Sequence, residues 1–219
     1  YEQTAFGDAE IFPSDLYYMD LDSTWTDADG DGYFDSHSDL EVDFYTSRIT
    51  GTSDEINFYF DKLHNYRTGS GGTPIYDGAF IFKDDDWHHN YRSNDFGLKS
   101  IYSGVEFYQD DGNTTKSSYL SKLTSGGSEY VYQWIHAFPP ALFVDVDGSY
   151  EVIKTTDIEN SNVRGNFYNL FDCQAARFTV NNLATNYLTK TDSCIAVLGS
   201  TKTGGVYYPV EFHKSLGVG

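Results

Sequence analysis

Short apolar runs that alternate with helix-length amphipathic segments constrain this fold more than any other feature of the sequence. After an acidic N-terminal stretch, strands are predicted near 41–48, 78–83, 103–108, 130–136, 166–172 and 194–199. Helices are predicted over 52–66, where Thr52 and Glu55 form a capping box, and over 115–123 and 179–189. This alternation is typical of βαβ units. We therefore expect an α/β fold with a mostly parallel central sheet, in one domain covering 1–219, with 1–40 as an acidic N-terminal segment.

The charge balance limits the classes of partner. The chain has 33 acidic and 14 basic residues, for a formal net charge of −19. Such a charge disfavours nucleic acid and anionic membranes and favours cationic ligands or metal ions. No apolar run approaches the roughly 18 residues that cross a bilayer, which predicts a soluble protein. The chain opens at Tyr1 without an initiator Met and contains 19 Tyr and one Met, which favours a processed or excised, extracellular protein.

Three polar positions follow predicted strands. Asp84 to Asp86 follow GAFIFK, His136 ends VYQWI, and Cys173 ends NFYNLFD. Because ligands bind at the carboxyl ends of parallel strands, these side chains are expected at one sheet edge. A thiol, an imidazole and a carboxylate are the parts of a nucleophilic unit. On these residues alone, the catalytic and structural interpretations remain about equal.

The second cysteine is predicted to be structural. Cys194 opens the apolar run CIAVL, so it is expected in the core at the start of a strand. Cys173 lies at the end of its strand, a strand length of roughly 17 to 20 Å away. A disulfide needs Cα atoms within about 7 Å, so no bond between the two is expected.

Several segments of the sequence resemble one family of enzymes. LFDCQAARFT, followed by a predicted helix and SCIAVLGST, is similar to the nucleophile strand, helix and next strand of the gingipain family of cysteine peptidases. SDLYYMDLDSTW and EVDFYTSRI resemble the segment that leads into that family's catalytic subdomain, and the likeness covers about 12–203. The resemblance implies a caspase-like three-layer sandwich and a secreted cysteine endopeptidase that acts on peptide or protein substrates.

The resemblance also assigns roles to residues. It implies that Cys173 is the nucleophile and His136 its proton-transfer partner. An acidic residue after the strand AFIFK orients the histidine in the family. We expect Asp84 in that role, then Asp85, with Asp86 the remaining candidate.

Two further roles follow from the same resemblance. The backbone N–H groups of Ala137 and Cys173 are expected to form the oxyanion hole, although the family usually has Gly on both sides of the histidine and this chain has Ile135 and Ala137. In arginine-specific relatives an Asp about eleven residues beyond the orienting acid lines the S1 pocket. Counting from Asp84 gives Asp95, which implies cleavage after Arg or Lys, whereas a turn aspartate is the alternative.

A calcium loop is predicted in the N-terminal segment. The run DADGDGYFD at 27–35 places oxygen ligands at alternate positions, with Gly for the tight turn, as in the first half of an EF-hand loop. The Glu expected at the twelfth position is replaced by Ser38, so Asp35 or Asp39 is expected to complete the shell. The predicted ligands of a structural Ca²⁺ are Asp27, Asp29, Asp31, Tyr33 through its carbonyl, Asp35 and Asp39.

A second interpretation remains open. A non-catalytic calcium-binding or adhesion module that retained the caspase-like fold would also explain the resemblance, because function resides in the site. The presence of both Cys173 and His136 favours the enzyme.

Overall fold

The computed structural model describes residues 1–5, 8–39, 41–87, 95–110, 112–204 and 209–217. Its strands are β1 Glu2–Ala5, β2 Asp8–Ile11, β3 Trp25–Thr26, β4 Ser36–His37, β5 Ala79–Lys83, β6 Val105–Tyr108, β7 Ser128–Trp134, β8 His136–Phe138, β9 Ala141–Val146, β10 Ser149–Lys154, β11 Gly165–Phe171 and β12 Ala196–Gly199. Its α-helices are α1 Leu16–Met19, α2 Ser53–Thr68, α3 Lys116–Ser125, α4 Thr155–Ser161, α5 Leu183–Lys190 and α6 Pro209–Leu216. Short 3-10 turns cover Asp85–Trp87 and Leu98–Ser100.

A five-stranded sheet forms the centre of the molecule, in the order β12-β11-β7-β5-β6. Every neighbouring pair in it is parallel. Parallel strands covered on both faces are apolar throughout, and β5, with the sequence AFIFK, is buried at all five positions. The expected α/β fold with a parallel central sheet is confirmed.

The two faces of this sheet carry separate cores. Phe80 and Phe82 of β5 belong to one core, whereas Ala79 and Ile81 belong to the other, as the two-residue period of a strand requires. The first core includes side chains of α3, α4 and α5, among them Tyr119, Ile158 and Tyr187. The second includes Phe96 and Leu98, and the buried His213 of α6 hydrogen-bonds to Tyr130 on the same face. Helical segments thus cover both faces, which gives the three expected layers.

The helix expected from 52 begins at its capping box and runs slightly further than predicted. Thr52 Oγ1 accepts the Glu55 N–H at 3.3 Å, and the Glu55 side chain accepts the Thr52 N–H at 2.6 Å. Gly69, with φ of 63°, ends the helix in the left-handed conformation. The buried Lys62 ammonium ties α2 to the end of α5 by donating to the carbonyl oxygens of Leu188 and Thr191.

Two strand predictions need correction. Residues 41–48 form no strand: Tyr45 is 88% exposed, and the described main-chain bonds to this segment are those from the Asp43 and Phe44 N–H groups to Met19. Its β-branched and aromatic residues do not face a core, so nothing holds them in a sheet. The strand predicted over 130–136 instead ends at Trp134. His136 opens the separate strand β8, which pairs antiparallel with β9.

Small antiparallel sheets surround the central one. β8, β9 and β10 form a three-stranded sheet, and β1 with β2 and β3 with β4 form two-stranded sheets in the acidic N-terminal segment. No helix in the described ranges combines the length and apolar character needed to span a bilayer.

Candidate active site

Cys173 and His136 follow two neighbouring strands of the central sheet. β7 and β11 are hydrogen-bonded in parallel, with Trp134 opposite Phe171 at their carboxyl ends. The next residue on β11, Asp172, accepts the Ile135 N–H on its Oδ1 at 3.0 Å. His136 directly follows Ile135, and Cys173 directly follows Asp172. Each of the two candidate residues therefore lies one position beyond the hydrogen bond that joins the end of β7 to the end of β11.

The Cys173 thiol is half-buried in a turn that is held in place by hydrogen bonds to residues 202–204. The Gly204 N–H donates to Sγ at 3.4 Å, and the Gln174 N–H donates to Lys202 O at 2.9 Å. Gln174 has φ of 57°, a left-handed conformation that is uncommon without glycine and that is frequent at functional turns. Burial is the main cause that raises the pKa of the Cys173 thiol. The thiol thus needs a base before it becomes a nucleophile.

The imidazole of His136 has a carboxylate partner. Its Nε2 lies 3.1 Å from Asp86 Oδ2, and the Trp87 ring packs against it with centroids 4.9 Å apart. The hydrogen bond to Asp86 is the main cause that raises the pKa of His136. Because Asp86 engages Nε2, Nδ1 is the nitrogen that remains to exchange a proton with a thiol.

Asp84 occupies a different position from the one expected for the orienting acid. It is fully buried, and its two oxygens accept the N–H groups of Asp85 at 3.1 Å and Asp145 at 2.8 Å. Burial raises its pKa to about 7. Asp84 therefore fastens β5 to the end of β9, while the 3-10 turn directs Asp86 to the imidazole. Asp85 lies in that turn and donates its N–H to Asp84.

Cys173 and His136 are not hydrogen-bonded to each other in the described part of the chain. The thiol accepts a hydrogen bond from the Gly204 N–H, and the imidazole donates its Nε2–H to Asp86. Their strands nevertheless end side by side.

Two other predicted site residues, Ala137 and Asp95, lie in a strand and in a turn. Ala137 is buried in β8, opposite Leu142 of β9, so its assignment as an oxyanion donor stays a prediction. Asp95 is half-buried, and its Oδ1 accepts the Gly97 N–H at 2.9 Å across a turn. Residues 88–94, which precede it, lie outside the described ranges.

The predicted calcium loop brings part of its ligand set together. Asp27, Asp29 and Asp35 each place an oxygen within 4.8 Å of the others. Gly30 and Gly32 have φ of 79° and 95°, and their N–H groups donate to the two oxygens of Asp27. Two of the predicted side-chain ligands, Asp31 and Asp39, are not part of that group. The Asp31 carboxylate instead accepts the Tyr33 N–H at 2.9 Å. Binding through the carbonyl of Tyr33 stays a prediction.

Four acidic residues of interest were not predicted from the sequence. Asp172 is buried beside the candidate nucleophile, and burial raises its pKa well above the ordinary value. Its position directly before Cys173 was the available signal. Asp20 and Asp22 approach Asp43, so that all three place an oxygen within 4.8 Å of the others. The spacing of Asp20 and Asp22 was visible, but only the fold brings Asp43 to them.

The parallel five-stranded sheet with helices on both faces is that of the caspase-like α/β fold. Among solved structures, the chain is similar to gingipain R, described as an Arg-specific cysteine proteinase, with a TM-score of 0.52 and 14% identity. The match covers 77% of this chain and 42% of that one, so the chain spans less than half of the neighbour's length. At this identity the likeness shows a shared fold. No protein-family model and no curated protein sequence match the chain.

Proposed function

We propose that this protein is a cysteine endopeptidase with Cys173 as nucleophile and His136 as its proton-transfer partner. The observation that carries the proposal is the placement of both residues one position beyond the Asp172–Ile135 hydrogen bond that joins β11 to β7. The shared fold with a cysteine proteinase supports it, and parallel α/β sheets bind ligands at the carboxyl ends of their strands.

The proposed chemistry is acyl transfer through a thioester. The imidazole Nδ1 takes the thiol proton while Sγ bonds to the substrate carbonyl carbon. The imidazolium then gives this proton to the leaving amine as the C–N bond breaks, and water hydrolyses the thioester on Cys173. Asp86 fixes the tautomer of His136 and stabilises its charged form through Nε2. We further propose that the N–H groups of Cys173 and Ala137 bind the oxyanion.

Substitution of the two reacting residues tests this proposal. Cys173→Ala and His136→Ala should each abolish peptide cleavage with the fold retained, because the pair acts as one unit. Cys194→Ala is the matched control, since Cys194 is fully buried and burial raises its pKa to about 12. Iodoacetamide should label Cys173 and not Cys194 in the folded protein, increasingly as pH rises. Cleavage at the parent rate by Cys173→Ala would remove the proposal.

We also propose cleavage after Arg or Lys, with Asp95 as the specificity residue. The net charge of −19 favours cationic substrates, and the similar gingipain R is described as Arg-specific. Asp95→Asn should lower kcat/KM for an Arg peptide by about 10²-fold, because a charge-assisted bond is lost, while cleavage after neutral residues falls far less. The exposed Asp61→Asn is the charge-matched control. A parent preference for Asp or bulky apolar residues would contradict the assignment.

We also propose that the protein binds a structural Ca²⁺ and that it is secreted. Asp27, Asp29 and Asp35 offer three converging oxygens, which fits the oxygen-only ligand set that calcium prefers. Asp31, Tyr33 and Asp39 remain candidates for the rest of the shell. Extracellular calcium concentrations would keep such a loop loaded, which is consistent with the proposed secreted location.

The second candidate function is a non-catalytic calcium-binding or adhesion module. Burial of the Cys173 thiol favours this alternative, because it raises the pKa of the thiol and so opposes formation of a thiolate. Alkylation separates the two functions: an inert Cys173 in the folded, calcium-loaded protein would favour the module.

A further inference from the structure

A second acidic cluster lies outside both the candidate active site and the predicted calcium loop. Asp20, Asp22 and Asp43 each place an oxygen within 4.8 Å of the others. Asp20 and Asp22 flank Leu21, whose N–H donates to Asp43 Oδ2 at 2.8 Å. The cluster thus joins two segments that lie more than 20 residues apart in the sequence.

Burial of Asp20 distinguishes this cluster from an ordinary solvated acidic surface. Asp20 is only 2% exposed. Its Oδ1 accepts the Ser23 N–H at 3.0 Å, but its Oδ2 is enclosed with no hydrogen-bond donor among the described residues. A buried carboxylate oxygen without a donor is costly, and two further carboxylates beside it increase the cost. A bound cation would compensate this cost.

The protein supplies no side-chain cation from this part of the chain. Arg48 is the only Lys or Arg among residues 1–50, whereas 13 of them are Asp or Glu. The Arg48 guanidinium binds both oxygens of Asp15 and stacks over Phe178. It is therefore committed elsewhere.

We propose that Asp20, Asp22 and Asp43 bind a divalent cation of the calcium type, separate from the 27–35 loop. Three carboxylates and no nitrogen or sulfur ligand form a hard, oxygen-only set. The site lies on irregular backbone, which suits the flexible coordination of Ca²⁺ better than the strict octahedron of Mg²⁺. Binding would hold the 20–23 segment against Asp43 and compensate the enclosed oxygen of Asp20.

Calcium titration of the full, metal-stripped chain tests the site. Isothermal titration calorimetry of the parent should detect one equivalent of calcium bound at this site. In Asp22→Asn the Kd of this site should rise about tenfold or more, since removal of one carboxylate weakens calcium sites of this type. Asp22 is exposed, and its side chain forms no hydrogen bond in the described structure, so this variant changes the ligand set without disturbing local packing. Asp61→Asn, an exposed change of equal charge on α2, should bind as the parent does.

Asp29→Asn makes the result independent of the proposed calcium loop. If both sites exist, the parent binds two equivalents, each single variant weakens one of them, and the double variant weakens both. If the 27–35 loop does not bind calcium but the second site does, the parent binds one equivalent. Asp22→Asn then weakens this binding, and Asp29→Asn does not. Unchanged calcium binding in Asp22→Asn, or loss of all binding in Asp29→Asn alone, would overturn the second site.

Discussion

Asp172 shows how one buried acid connects stability to the candidate site. It is 1% exposed and receives one described hydrogen bond, from the Ile135 N–H, so burial raises its pKa well above the ordinary value. A neutral carboxyl group at this position joins β11 to β7 without placing a charge in the core. An Asn side chain can accept the same N–H and is also neutral.

We therefore expect Asp172→Asn to be more stable than the parent at pH 8. A folded-state pKa above the unfolded value gives stability that is fully present below the unfolded pKa, near 3.9, and is lost as pH rises. Asn does not titrate, so the variant avoids this loss. Its advantage should be at least about 1 kcal/mol at pH 8 and should vanish near pH 4.

Urea unfolding of both proteins at each pH measures this difference. Asp84 also has a raised pKa, but it is unchanged in the two proteins and so cancels. A constant difference between the parent and Asp172→Asn across this range would mean that Asp172 ionises normally in the fold.

At the level of single residues, the sequence predicted positions better than contacts. Cys173 and His136 were expected at one sheet edge because strand order alone decides this, and both do follow neighbouring strand ends. Which of three consecutive aspartates contacts the imidazole depends on the 3-10 turn, and no periodic pattern encodes that turn. The expected absence of a disulfide is confirmed, since Cys173 and Cys194 are both free.

Helix α6 depends on one buried histidine. The His213 side chain contacts Phe96 O through Nδ1 at 2.8 Å, and its Nε2 faces Tyr130 Oη at 3.0 Å and Asn169 Nδ2 at 3.2 Å. A neutral ring with its proton on Nδ1 satisfies these contacts, because Nε2 can then accept. Protonation of Nε2 would set two donors against each other at Asn169. Burial lowers the pKa of His213 accordingly.

We expect α6 to loosen at acid pH. A pKa below the unfolded value of about 6.5 gives stability that is present above that value and is lost as pH falls. Hydrogen-exchange protection factors at 209–217, which correct for the slower intrinsic exchange at lower pH, should fall between pH 7 and pH 5 in the parent. His213→Gln should show a smaller pH dependence from a lower starting stability. The exposed His64→Gln is the control and should behave as the parent; an equal pH dependence in all three proteins would exclude His213 as the cause.

At the level of elements, buried strands were easier to predict than elements on the surface. β5, β7 and β11 were expected because they are continuous apolar runs between turn residues. The segment 41–48 also contains β-branched and aromatic residues, but without a partner strand it stays irregular. The β9–β10 hairpin was missed although Asp147 and Gly148, both with positive φ, supply its turn signal.

The distribution of charge matters most at the scale of the whole molecule. Thirteen acidic residues and one Arg lie in the first 50 positions, and much of this segment is irregular loop or two-stranded sheet. Such a segment repels itself and has little core of its own. Cations bound at its acidic clusters would remove repulsion and cross-link the loops, so its order should depend on metal.

We therefore expect EGTA to lower the melting temperature and to make the loop 27–35 the first site of proteolysis. A ligand bound only to the folded state stabilises it by RT ln(1 + [Ca²⁺]/Kd), which is about 2.7 kcal/mol at a hundredfold excess over Kd. Asp29→Asn should melt between the parent and the EGTA-treated parent and respond less to added calcium, because the second site stays intact, whereas Asp61→Asn should respond as the parent does. Differential scanning calorimetry with and without calcium, together with metal analysis of the starting protein, measures the effect. If the melting temperature of the metal-free parent does not change when calcium is added, Asp27, Asp29 and Asp35 form a solvated loop. The N-terminal segment is then held by its aromatic contacts, such as the stacked Tyr17 and Phe34 rings.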